Sequence, residues 1–125
     1  MRELYSAIIE LDSESVLTVK FKNNVDVKLD EAKRLVDVSL EMVNGKMFYL
    51  LVDARDILSA MDHPSRKYIA EHKEYNRLNI AQAIVVNNMA IKLLAIAYYK
   101  LYPHNQPIRI FSDIKEARNW LLSEN

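Results

Sequence analysis

With 125 residues, half of them hydrophobic and 27% charged, the chain has material for one core and too little for two. Its 17 basic and 17 acidic residues cancel, which excludes the basic excess of a general nucleic-acid binder and disfavours adsorption to an anionic membrane. The absence of cysteine excludes disulfides, thiolate metal sites, Fe–S ligation and cysteine nucleophiles.

The opening Met-Arg-Glu-Leu-Tyr has no charged-then-apolar leader and reads as mature sequence, with the cytoplasm as the expected location. Leu4–Leu11 and Val16–Lys22 read as two strands of an antiparallel hairpin around the polar run Asp12-Ser13-Glu14-Ser15. In the second strand Leu17, Val19 and Phe21 point one way, and Thr18, Lys20 and Lys22 the other. Asp30–Val43 has helical periodicity, with Ala32, Val36 and Val43 on the inner stripe and Asp30 as the expected N-terminal cap. Gly45, the one glycine of the chain, follows where a left-handed termination is needed.

Met47–Asp53 is apolar up to its last residue, as expected of a strand covered on both faces at the centre of a sheet. Pro64–Tyr75 reads as one helix with proline in its first turn. Ile80–Val86 is a second buried strand, and Asn87-Asn88 caps a helix over Met89–Tyr102. That helix is interrupted by Lys92 and Lys100 and is too short to span a hydrocarbon core of about 30 Å. Ile108–Phe111 is a last short strand. Ser112 or Asp113 caps the final helix, in which Ile114, Ala117 and Leu121 face inward beside Trp120.

The order β-β-α-β-α-β-α-β-α predicts a single α/β domain over residues 1–125, with about five strands, mostly parallel, an antiparallel edge and about four helices. That order resembles the STAS, or SpoIIAA-like, domain over nearly the whole chain. The resemblance is most specific in Pro107–Leu122, which looks like the strand, Phe-Ser-Asp and Trp-Leu helix ending of bacterial SpoIIAA-like proteins. Leu50-Leu51-Val52-Asp53 looks like their central strand. The resemblance implies a non-catalytic regulatory module that binds a protein partner or itself. In the anti-sigma-factor antagonists of that family a phosphorylated serine opens the helix after the central strand, within Asp-Ser-Ser/Thr-Gly. The matching stretch here is Met61-Asp62-His63-Pro64-Ser65-Arg66, so the resemblance carries a phosphoacceptor role onto Ser65, although His63-Pro64 replaces the expected pair and the glycine is missing. A helix N-terminus with Arg66 and Lys67 nearby is also where a phosphate would be stabilised.

Three other surfaces follow from the residues. Asp53, Asp62, Asn87, Asn88 and Ser112 converge on the carboxyl edge of the sheet, where open α/β sheets bind ligands. With Asp56 and His63, the two aspartates also make the nearest approach to a metal or acid/base cluster, although His72 and His104 do not extend it and no metal or cofactor is expected. On the Met89–Tyr102 helix, Ala90, Leu94, Ala97 and Leu101 are expected to face the core. This leaves Ile91, Ala95, Tyr98 and Tyr102 as a second apolar flank and a homodimer interface. The competing expectation is a small apolar, lipid-like ligand. Related SpoIIAA-like folds resemble lipid-carrying domains, and the seven tyrosines and five methionines suit an apolar pocket.

Overall fold

The computed structural model describes residues 1–55, 61–101 and 106–124. Six strands form one sheet in chain order: β1 (Arg2–Glu3), β2 (Ala7–Leu11), β3 (Val16–Phe21), β4 (Phe48–Asp53), β5 (Asn79–Val85) and β6 (Ile108–Phe111). The first three pair antiparallel, and β3 to β6 run parallel. The expected central pair is present, with Leu51 beside Ala83 and Asp53 beside Val85. The helices are α1 (Leu29–Val43), α2 (His63–Glu71), α3 (Lys73–Leu78), α4 (Met89–Leu101) and α5 (Ile114–Ser123).

Two apolar clusters occupy the two faces of the sheet. On one face Ile9, Leu17, Val19, Leu50 and Phe48 pack against Ala32, Leu35 and Val36 of α1, with Tyr75 and Leu78 of α3. On the other, Leu51, Ala81, Ala83 and Val85 meet Ala117 and Leu121 of α5, as the inner stripe of that helix predicts. Asp113 is its cap, and the carboxylate accepts from the Glu116 N–H at 2.9 Å. Arg118 on α5 reaches both Asp12 and Glu14, fastening this helix to the β2–β3 turn.

Three expectations are corrected. The first predicted strand, Leu4–Leu11, is broken. The Leu4 N–H bonds back to the Ala7 carbonyl, and buried Ser6 binds Glu31 on α1, so Arg2–Glu3 folds over as a short edge strand. Helix α1 begins one residue before Asp30, with Lys28 at the cap position making no side-chain bond; Asp30 and Glu31 instead place negative charge in the first turn. The predicted helix Pro64–Tyr75 is two helices, because the His72 ring nitrogen Nδ1 accepts from the Tyr75 N–H and caps a new helix there. The stop at the end of α1 is as expected, with Gly45 at φ +78 after Asn44 at φ +51.

Candidate functional site

The space between the sheet and its α1 side is not filled. Helix α4 follows β5 and lies on the same face as α1, α2 and α3. Between these helices and β3, β4 and β5 is a cavity of about 520 Å³. Its floor is Val19, Leu50, Val52, Gln82, Ile84 and Val86, drawn from positions of three parallel strands that share one face. Its walls are Leu35, Val36 and Ser39 of α1, Ile69 and Ala70 of α2, and Ile91, Leu94, Ala95 and Tyr99 of α4. Close-packed interiors leave few voids larger than a water molecule, and this volume falls within the range of small-molecule sites.

The polar groups of the cavity are mostly committed. Ser39 donates its hydroxyl to the Leu35 carbonyl at 2.6 Å. Asn76 donates to the carbonyls of Ile69 and His72 and accepts from the Gln106 amide at 3.0 Å. Burial pushes the Tyr75 hydroxyl far above its ordinary pKa; Ser39 offsets part of this and Tyr99 adds to it, so the phenol stays neutral. Arg66 contributes from the first turn of α2, where it is exposed.

The carboxyl edge of the sheet is organised differently. Asp53 is buried and clamped by Arg55, with Nε and Nη2 both 2.9 Å from its two oxygens. Burial alone would raise this carboxyl, but the side chain and backbone N–H of Arg55, with Lys20, outweigh it and hold the pKa below the usual value. The sign follows from linkage: the stabilisation is complete above the ordinary carboxylate range and is lost as pH falls through the lowered folded value. Arg55→Ala strands a nearly buried carboxylate. Its expected cost is about 1–3 kcal/mol near neutral pH, shrinking below about pH 4 as Asp53 protonates. Urea titrations of both proteins at the two pH values check this; an equal difference at both contradicts it.

Asp62 caps α2, accepting from the N–H and the hydroxyl of Ser65, and those bonds hold its carboxyl below its usual range. Ser65 itself is fully buried, and its hydroxyl also lies 3.2 Å from the Val27 carbonyl. The Ser65 hydroxyl, the expected phosphoacceptor, is thus closed to solvent and held against the Asp62 carboxylate. Asn88 caps α4 through the Ala90 and Ile91 N–H groups, while Asn87 and Ser112 are exposed. None of these five edge residues, Asp53, Asp62, Asn87, Asn88 or Ser112, lines the cavity. His63 is exposed in the first turn of α2; Asp56 and His104 lie outside the described residues. Among the described residues no three His, Asp or Glu side chains are grouped to hold a metal ion.

The face assignment of α4 is reversed. Ala90 and Ala97, expected in the core, are exposed, and Ile91 and Ala95 of the expected interface line the cavity; Leu94, expected in the core, also lines it while remaining largely exposed. Tyr102 and the side chains of Tyr98 and Leu101 lie outside the described residues. The outer face instead carries Met89 and Leu93, each at least 60% exposed. Sequence reasoning also missed Gln82, Tyr75 and Tyr99 as cavity residues. The alternation of β5 was the available signal for Gln82, since it puts that amide on the same face as Ile84.

No helix among the described residues is long and apolar enough to cross a membrane. No curated protein matches the chain. Among solved structures it is similar to an uncharacterized protein of the DUF3478 family from Shewanella loihica PV-4 with a SpoIIAA-like fold. The TM-score is 0.69 at 13% identity, over 97% of this chain and 98% of that one. This likeness supports the expected SpoIIAA-like architecture, here with six strands and five helices among the described residues. A family model, described as a domain of unknown function, DUF7793, matches residues 9–124, so within the SpoIIAA-like fold this chain belongs to the DUF7793 family.

Proposed function

We propose that this chain is a non-catalytic binding domain that takes a small apolar molecule between its sheet and helices α1, α2 and α4. The observation that carries the reading is the cavity of about 520 Å³, whose floor is aliphatic apart from Gln82. Apolar cavities of this kind are poorly hydrated and gain by admitting an apolar guest. The reading is tested by titrating purified protein with N-phenyl-1-naphthylamine, a neutral apolar dye that brightens when removed from water. Saturable, stoichiometric binding supports it. A flat titration, together with a native mass spectrum free of co-purifying mass, counts against it.

A second reading rests on the exposed Met89 and Leu93. Helix α4 closes the cavity with one side and offers an apolar face with the other, and this suits a regulatory module whose occupant controls contact with a second copy or a protein partner. Self-association through this face predicts a dimer at tens of micromolar that the double variant Met89→Glu/Leu93→Glu converts to monomer. Sedimentation velocity checks it; monomer for both proteins removes the self-associating part of the proposal.

A further inference from the structure

Among the described residues that line the cavity, the Gln82 side chain is uncommitted. Gln82 lies opposite Leu50 in the β4–β5 register, in line with Ile84 beside Val52 on the cavity floor. Its backbone N–H donates to the Pro107 carbonyl at 2.9 Å. Its half-buried side-chain amide, by contrast, finds no hydrogen-bond partner among the described residues. Such an amide offers two donors and an acceptor, and leaving them unmet in an apolar space costs about 1–3 kcal/mol. No acidic side chain lines the cavity among the described residues, and its cation, Arg66, stands exposed on the first turn of α2. The Tyr75 phenol remains neutral. A carboxylate carried to the floor would therefore be desolvated without a counter-charge, whereas a neutral hydrogen-bonding group would satisfy Gln82 at little cost.

From this we infer that the occupant is a neutral amphiphile, an apolar chain ending in an amide or hydroxyl, with that polar end on the Gln82 side chain. The inference rests on the cavity-binding reading above and adds the chemical class of the ligand. The experiment displaces N-phenyl-1-naphthylamine with dodecanamide, dodecan-1-ol and dodecanoate near pH 7, for the unaltered protein and for Gln82→Leu. Dodecanamide is expected to bind about tenfold tighter than dodecanoate, one hydrogen bond plus avoided charge burial. In Gln82→Leu the affinity for dodecanamide should fall about fivefold to tenfold relative to that for dodecanoate on the same variant, with circular dichroism reporting an intact fold. Gln82→Met, which keeps the side-chain length, should behave like Gln82→Leu and covers the case in which leucine fails to fold. Preference for dodecanoate, or an equal loss for all three ligands in both variants, overturns the inference while leaving the cavity reading in place. Failure of the unaltered protein to bind the dye overturns both.

Discussion

Ala95→Trp is expected to abolish uptake of an apolar probe, by about a hundredfold or more in affinity, while the protein stays folded. Ala95 is half-buried on the inner side of α4 and lines the cavity with Ile91 and Tyr99. An indole introduced there enters the space between α4 and β5 that the guest would occupy. Since it fills a void rather than displacing packed atoms, the overpacking penalty of an ordinary core is largely avoided, and burial of the ring contributes about 1–3 kcal/mol in favour of the native state. Thermal unfolding should therefore show an unchanged or raised midpoint, and titration with N-phenyl-1-naphthylamine should show no saturable binding. Ala90→Trp is the control. Ala90 is exposed on the opposite side of the same helix, so that variant should bind the probe normally. Equal loss in both variants would mean that the substitution acts on the helix rather than on the cavity.

Phe48→Ala is expected to give the largest loss of stability, about 3–5 kcal/mol. Phe48 is the largest of the fully buried side chains, at the start of β4, with its ring 5.5 Å from that of Tyr75. It ties the central strand to α3 beside the β4–β5 register shift between Phe48 and Tyr49, and the cavity left by its removal adds to the lost burial. The neighbouring Met47, 55% exposed, supplies the comparison: Met47→Ala should stay within about 0.5 kcal/mol of the parent. Chemical denaturation of the three proteins measures both differences. A loss below about 1 kcal/mol for Phe48→Ala would mean that β4 is not an interior strand packed as described.

The parts of the fold that were legible in the sequence are those whose signal is local. Leu17, Val19 and Phe21 alternate, and the structure buries all three; the run from Phe48 is apolar up to Asp53, and it lies between two parallel neighbours. Gly45 marks the end of α1 because few other residues adopt its φ of +78. Asn88 and Asp113 announce their helices as side-chain acceptors two and three residues before the N–H groups they bind.

The parts that were not legible depend on tertiary direction. The division between α2 and α3 turns on His72, whose ring accepts a backbone N–H; nothing in the spacing of Pro64–Tyr75 distinguishes that from a solvated histidine in a continuous helix. Helix α4 is apolar nearly all round, so its periodicity is degenerate, and the stripe through Ala90 and Leu94 fits a core face as well as the one through Ile91 and Ala95. The sheet and the neighbouring helices decide between them, and they turn Ile91 and Ala95, with Leu94 beside them, to the cavity. The cavity has no linear signature at all. Val19, Val36, Val52, Ile69 and Ile84 come from five separate elements, and each taken alone reads as ordinary core. The polar edge of the sheet gave the opposite error. Asp53 and Asp62 suggest chemistry when read as a cluster of carboxylates, yet each is committed to a neighbour within three residues.

The most direct measurement is a crystal structure of the protein grown with dodecanamide. The account predicts continuous density for the chain between Val52 and Ile84 on the sheet and Ile91 and Ala95 on α4, with the amide within hydrogen-bonding distance of the Gln82 side chain. Helix α4 packed directly on β4 and β5, with no space between the layers, would contradict it.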